Sequence, residues 1–320
     1  MIVKPRTTPL YLQQLQALER RLPSPHPKRQ MVENTMARWS AGFKGEQSLD
    51  YPLTFLPKDK FLILHDVRLH DGTHYFQMDT LILSEHFLVI LEVKSISGTL
   101  IFNTDFNQLI RYDGEKEEAF SDPLIQVRRH QAQLTLWLQQ VGLSIPVEGF
   151  VVMGNYRTVL KKTPDSLETF ENVIQGHVAS EKVLDLLKLY PTTTVTQSQL
   201  KALSKKLMHQ HKEGKRDILK QFSISPDEII RGVYCPDCPA SVMQRKHGSW
   251  NCPACQKHWK KAHMEALSDF SLLFSHTISN KQAREFLKIP SRDAVKRLLQ
   301  SIKVSQSGEY SRRRYKLPFR

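Results

Sequence analysis

Cysteine is scarce in this 320-residue chain: there are four, all between positions 235 and 255. With none elsewhere, no disulfide can staple the rest of the chain. No apolar run reaches the roughly 20 residues that a membrane-spanning helix needs. The first residues lack the apolar core of a secretion signal, because Tyr11 to Leu22 is interrupted by Gln, Glu and Arg. There is no internal repeat and no long low-complexity tract, so a repeat array is not expected. These absences point to a soluble, cytoplasmic protein that does not enter membranes.

Positive charge is what the chain has in excess, and it is unevenly placed. The formal net charge is +14, from 46 Lys+Arg and 32 Asp+Glu. Arg231 to Arg320 holds 18 of the basic residues and 6 of the acidic ones, leaving 28 and 26 for everything before it. One end therefore carries nearly all the positive field. That asymmetry fits nucleic acid, or another anionic surface, as partner; the alternative is a solvated basic surface that aids solubility.

The pattern along the chain predicts a helix over Tyr11–Leu22, ended by Pro23, Pro25 and Pro27, and a second from about Val32 to Leu49. Strand-like runs follow at Phe61–Leu64, Tyr75–Leu83, Phe87–Lys94 and Gly98–Phe102. Pro123 opens a helix with Leu124, Val127, Leu134, Trp137 and Leu138 on one stripe, and Val147–Met153 returns as a strand. Helices are expected over about Glu181–Leu189 and Ser198–His211. The order α-β-β-β-α-β implies an α/β domain with a mixed sheet flanked by helices. The expected parts are residues 1–31 (helix and Pro-rich linker), 32–215 (α/β domain with a helical extension), 232–263 (cysteine module) and 268–320 (a small C-terminal domain).

The cysteines fall as Cys235-Pro-Asp-Cys238 and Cys252-Pro-Ala-Cys255. A two-residue gap lets both thiolates of a pair turn onto one ion, so two pairs complete a tetrahedral S4 site. His247-Gly248 lies midway, where a hairpin would bring the two pairs together. The expected metal is a structural Zn2+, because four thiolates leave no open position; His258 and His263 are bystanders. Two disulfides or four free thiols are the alternatives, and the lack of a secretion signal disfavours disulfides.

Phe87-Leu-Val-Ile-Leu-Glu92-Val-Lys94 is apolar on both faces until Glu92, the mark of a central strand. An ionised Glu there is costly unless it is paired or holds a cation. Glu92 and Lys94 share a face, and a hairpin through Ser84–His86 brings Asp79 beside Glu92. On spacing alone, an ordinary Glu92–Lys94 ion pair and a carboxylate pair for a hard divalent cation account for these residues equally well.

The run Phe76-Gln-Met-Asp79, then Phe87 to Lys94, then Gly98, resembles the nuclease-related domain family (NERD), an offshoot of the PD-(D/E)XK nuclease superfamily. Gly42-Phe-Lys-Gly45-Glu46 resembles its helical G-x-x-G-E element, and Asp122-Pro-Leu-Ile-Gln126 its later helix. The resemblance covers about Val32 to Met153 and implies a restriction-endonuclease-like sheet. It implies that Asp79 and Glu92 hold Mg2+ or Mn2+, that Lys94 orients or activates the attacking water, that Glu46 completes the acidic cluster and that Gln126 is an accessory polar group. His130 stands where some relatives have Tyr.

In the last segment, Ile278–Leu287 and Arg292–Ser301 read as two helices across a tight turn, with Ser279 or Asn280 as N-cap. Lys303–Lys316 reads as a hairpin, which together gives a winged helix-turn-helix-like domain. There Arg292, Lys296 and Arg297 would face a groove, and Arg312, Arg313 and Arg314 would contact phosphates. The whole reads as a Mg2+-dependent nuclease acting on DNA; the alternative is a DNA-binding or regulatory protein with an inactive nuclease-like scaffold.

Overall fold

The computed structural model describes residues 1–103, 105–163, 170–214, 216–238, 241–302, 305–309 and 313–318. In chain order come β1 (Ile2–Lys4), α1 (Leu10–Arg21), α2 (Arg29–Gln47), β2 (Leu62–His70), β3 (Tyr75–Leu83), β4 (Leu88–Lys94), β5 (Thr99–Asn103), β6 (Gln108–Tyr112), β7 (Glu117–Ser121), α3 (Pro123–Gln140), β8 (Val147–Met153), β9 (Val159–Lys162), β10 (Val173–Gln175), α4 (Ala179–Leu189) and α5 (Gln197–Gln210). The chain divides into two compact units. One comprises Met1–Thr7 with Ser40–Gly214, and the other Thr8–Trp39 with the described residues from Arg216 onward.

The first unit is built on a six-stranded mixed sheet in the order β1-β2-β3-β4-β8-β10. Strands β2, β3 and β4 are antiparallel, while β8 lies parallel to β4 and β10 parallel to β8. Strand β4 is central, as its double-sided apolar run requires. Leu88 and Ile90 pack on one face with Leu134, Trp137 and Leu138 of α3 and Leu200, Leu203 and Leu207 of α5. Val89, Leu91 and Val93 pack on the other with Val183 and Leu186 of α4. Helix α3 starts at Asp122, whose carboxylate accepts from Leu124 N at 2.8 Å, and Pro123 takes the first position, where no N–H is needed. A smaller sheet, β7-β6-β5-β9, grows from the C-terminal ends of β4 and β8. Strands β1, β6, β7, β9 and β10 were not anticipated. They are short, and the alternation of β6 and β7 is diluted by charged residues.

Two glycines set the height of α2 over the sheet. A Cβ on Gly45 would stand 2.3 Å from Ser95 Cβ, and one on Gly154 would stand 2.7 Å from Gly45 O. Only bare backbone lets the end of α2 settle on the ends of β4 and β8. Gly42, three residues earlier, has nothing within 4 Å of where its Cβ would be. The two glycines of the G-x-x-G-E element are therefore predicted to respond oppositely. Gly45→Ala should destabilise the unit by about 1–3 kcal/mol through overpacking. Gly42→Ala should stabilise it by up to ~1 kcal/mol through helix propensity. Urea unfolding of both variants checks this, and equal shifts of the same sign would contradict the close approach.

The second unit adds α6 (Ile218–Phe222), β11 (Val233–Tyr234), β12 (Val242–Lys246), β13 (Ser249–Asn251), β14 (His258–Trp259), α7 (His263–Leu273), β15 (Thr277–Ser279), α8 (Asn280–Leu287), α9 (Arg292–Ser301), β16 (Ser305–Ser307) and β17 (Arg314–Lys316). The antiparallel sheet β11-β12-β13-β14 turns at His247-Gly248, both with positive φ (47° and 80°), the conformation of a two-residue hairpin. Helices α8 and α9 are capped by Ser279 and Ser291. They accompany a three-stranded sheet, β15-β17-β16, which is the expected set of elements with one strand more than the hairpin. One core joins Leu15 and Leu18 of α1, Trp250 of the cysteine module, Leu267 and Phe270 of α7 and Val295 and Leu299 of α9. Helix α1 is thus a core element of this unit.

That core encloses an ionic knot. Arg21 and Asp269 are each only about 1% exposed. Arg21 Nε donates to Asp269 Oδ2 at 2.7 Å, and Arg21 Nη1 to the carbonyls of Ile230 (3.0 Å) and Gly232 (3.1 Å). The guanidinium lies 4.6 Å from the Phe286 ring centre and 5.0 Å from that of Tyr234. Arg20 Nη2 donates to the other carboxylate oxygen at 2.6 Å.

Candidate functional site

Among the described residues, two constellations carry chemistry, one in each unit. In the first unit, Glu92 and Lys94 continue the β4 face that holds Leu88 and Ile90, and so meet α3. Lys94 Nζ donates to Glu92 Oε1 at 2.9 Å and to Gln126 Oε1 at 2.9 Å, while Gln126 Nε2 donates to Glu92 Oε1 at 2.6 Å. The three side chains close a ring of hydrogen bonds. His130, one helical turn beyond Gln126, places Nδ1 3.6 Å from Glu92 Oε2, just outside hydrogen-bond reach. Glu92 Oε2 is buried with no hydrogen-bond partner among the described residues. Burial pushes the Glu92 carboxyl up, but His130 and Lys94 together outweigh it and hold the group below its ordinary value.

Asp79 sits where the sheet changes phase. The β3–β4 ladder runs from Leu83↔Leu88 to Thr80↔Leu91, and one further step places Asp79 opposite Glu92. There the backbone pairing stops, and Asp79 Oδ2 accepts from Val93 N at 2.8 Å instead. Across on β2, Asp66 has a left-handed backbone (φ 53°) and drops out of the ladder between His65↔Thr80 and Val67↔Met78. Lys4 Nζ ties down the break by donating to the carbonyls of His65 and Asp66. Desolvation, then repulsion from Glu92 and Glu46, raises the Asp79 carboxyl well above its usual range, against the Val93 N–H and Lys94.

Glu46 enters from the end of α2. Burial pushes it up to about 7, with Asp66 and Glu92 adding to the rise and Arg6 opposing it. Arg6 was not foreseen. Its guanidinium donates to Glu46 Oε2 (2.8 Å), Asp50 Oδ1 (3.1 Å) and Thr80 Oγ1 (3.1 Å), and lies 2.9 Å from His65 Nδ1. Burial and Arg6 drive His65 down to about 4, so the imidazole is neutral and Nδ1 can accept. The only sequence hint of these two was a His inside an apolar strand.

Glu46, Asp79 and Glu92 feel one another electrostatically, yet they form no closed cage. Among the described residues, only the four cysteines gather three or more ligand atoms within 4.8 Å of one another. The donors here are oxygens, the kind a hard cation takes, and Glu92 Oε2 makes no hydrogen bond among the described residues.

In the second unit the Sγ atoms of Cys235, Cys238, Cys252 and Cys255 form that one cluster, with Cys235 and Cys255 3.7 Å apart. Zn–S bonds of about 2.3 Å in a tetrahedron set sulfurs about 3.8 Å apart, so the cluster fits zinc without rearrangement. The N–H groups of Cys255 and Ala254, with Ser241, point at Cys252 and lower its thiol to about 6. Cys238 is pushed up to about 12, chiefly by Cys255. Four sulfurs this close cannot all ionise without a cation between them. One zinc per chain is the expected elemental analysis, retained through dialysis and lost in Cys235→Ser. Four titratable thiols and no metal in the purified protein would contradict it.

The basic residues expected to contact nucleic acid are placed as follows. Arg292, Lys296 and Arg297 lie on the outer face of α9, opposite Val295, Leu298 and Leu299. Arg314 is exposed on β17 and donates to Gln282 Oε1 at 3.1 Å, and Arg313 is half-buried just before it. Arg312 lies outside the described residues.

Residues 41–154 match the nuclease-related domain family (NERD), about a third of the chain. The match spans Glu46, Asp79, Glu92, Lys94, Gln126 and His130, and ends at Gly154. No curated protein and no solved structure matches the chain. This segment is a nuclease-related domain, joined in the same chain to a four-cysteine module consistent with a zinc ribbon. No helix among the described residues is long and apolar enough to cross a membrane.

Proposed function

We propose that this nuclease-related domain is a divalent-metal-dependent phosphodiesterase acting on nucleic acid, DNA foremost, and that the second unit helps to hold the substrate. The observation that carries the reading is the Lys94–Glu92–Gln126 ring, with Asp79 and Glu46 near it, inside the matched segment. A phosphodiester needs its developing negative charge stabilised and a water delivered in line. Lys94 supplies a fixed ammonium, and Gln126 holds both Lys94 and Glu92 in orientation. His130 beside Glu92 keeps that carboxylate charged. Asp79 and Glu92 are the ligands assigned to Mg2+ or Mn2+, with Glu46 orienting a water. The cation, when bound, supplies Lewis-acid polarisation of the phosphoryl group.

The test is cleavage of labelled single- and double-stranded DNA and RNA by the full chain, with and without Mg2+. Cleavage of at least one form that needs the metal is expected. The absence of cleavage on every form, with binding intact, favours the second reading: a nucleic-acid-binding protein on an inactive nuclease-like scaffold. One contact leans that way, because Arg6 already neutralises Glu46 from within.

The basic face of α9 is assigned to phosphate contact. Arg292→Gln, Lys296→Gln and Arg297→Gln together should flatten the dependence of log K on log salt by up to about 3. An unchanged slope would remove these residues from the interface. Surface substitutions suit this test better than truncation, because α8 and α9 supply Phe286, Leu287, Val295 and Leu299 to the shared core.

A further inference from the structure

Tyr156 is the most exposed large apolar side chain among the described residues, at 76% of its full area. It stands on a turn whose backbone is tied to the segments that carry Lys94 and Glu46. Gly154 N donates to Lys94 O at 3.0 Å, and Gly154 abuts the backbone of Gly45, the neighbour of Glu46. The next four residues form a turn pinned on both sides. Asn155 Oδ1 accepts from Arg157 N (3.1 Å) and Asn155 O from Thr158 N (3.1 Å). Thr158 Oγ1 donates to Ile96 O (2.6 Å), and Val159 N to Gly98 O (3.0 Å). The turn is therefore anchored within a few residues of both Lys94 and Glu46. Arg157 lies along the tyrosine, its Nε donating to the hydroxyl at 3.2 Å and its guanidinium 5.5 Å from the ring centre. Lys44 stands exposed beside Gly45.

We propose that Tyr156 is a base-stacking platform beside the candidate active site, so that the nucleic acid the site accepts is single-stranded where it passes. The inference rests on the phosphodiesterase reading and adds its substrate class. In a duplex both faces of each base are covered by neighbours, and a projecting ring has nothing to stack on. An unpaired base offers a free face, and a fixed aromatic takes it whatever the sequence. Arg157 and Lys44 supply positive charge for the flanking phosphates. A solvated loop-tip side chain with no role is the outcome the test must separate from this.

The test uses the full-length chain in EDTA, so that nothing is cut. Tyr156→Leu keeps bulk without a π face, and Tyr156→Phe keeps the ring. Binding of fluorescent oligothymidine and of a duplex of equal length is followed by anisotropy at several salt concentrations. Stacking is read by the quenching of 2-aminopurine placed along the single strand. Tyr156→Leu should weaken single-strand binding by roughly 5- to 100-fold and abolish part of the quenching, with duplex binding unchanged. Tyr156→Phe should restore both. Equal single-strand affinity and quenching in wild type and Tyr156→Leu would overturn the platform, and so would an equal loss on duplex. If wild type binds nucleic acid and cuts it with Mg2+ while Tyr156→Leu matches it in single-strand affinity and quenching, only this inference falls. If wild type binds none of the probes and cuts no form of DNA or RNA with Mg2+, the phosphodiesterase reading falls with it.

Discussion

Lys94→Ala should reduce metal-dependent cleavage by about 10²–10³-fold, the cost of losing one fixed electrostatic stabiliser of the transition state. The size of the loss follows from how the ammonium is held. Glu92 Oε1 and Gln126 Oε1 each accept from Nζ at 2.9 Å, so the charge is aimed before substrate arrives. Binding should change little, since one of many phosphate contacts is lost. Gln126→Ala leaves the ammonium in place but frees it to move, and a smaller loss is expected. Glu92→Gln removes a charge from the centre and should match or exceed Lys94→Ala. Single-turnover cleavage under saturating Mg2+ separates these from binding effects. A Lys94→Ala enzyme within a few-fold of wild type would place the reaction elsewhere.

The second large effect is on stability. Asp269→Ala should destabilise the second unit by about 3–5 kcal/mol, because it leaves a buried guanidinium without its counter-charge. Arg21 is about 1% exposed and cannot turn out to water. Replacing both partners, as in Arg21→Met with Asp269→Leu, should recover part of the loss but not all of it. The carbonyls of Ile230 and Gly232 would still lack the donor that Arg21 Nη1 gives them. Urea unfolding followed by tryptophan emission with zinc present reads this out. A shift below about 1 kcal/mol for Asp269→Ala would mean that the pair is not sealed from solvent.

Periodicity and spacing made much of this molecule legible. The limits of β3, β8 and α9 match the runs read from apolar pattern, and the Ser279 cap stands where one of the two candidates was placed. The cysteine spacing specified a cluster, and His247-Gly248 the turn that closes it, because a two-residue hairpin needs positive φ at both positions. What stayed hidden depends on contacts between distant segments. Arg6 lies 40 residues from Glu46 in sequence, and nothing local marks it. Arg21 and Asp269 are 248 apart, and each alone reads as a surface charge on a helix. His130 fell on the apolar stripe of α3 between Val127 and Leu134, a visible position whose meaning needed the partner strand. The phase change at Asp66 and Asp79 was also invisible, because alternation is preserved on either side and only the face reverses.

The second unit draws its core from residues 8–39 and from segments after residue 215, with the whole nuclease-related domain between them. A chain made from its N-terminus exposes Leu15 and Leu18 early and completes their partners only when Val295 and Leu299 have emerged. The sheet of the first unit can close during that interval, since apart from residues 1–7 it is contiguous. For most of synthesis α1 is thus a greasy handle without a socket, open to chaperones and to neighbouring chains. Any fragment that ends before the ribbon should inherit that condition permanently and be recovered largely as aggregate. Removing residues 8–39 as well should restore its solubility.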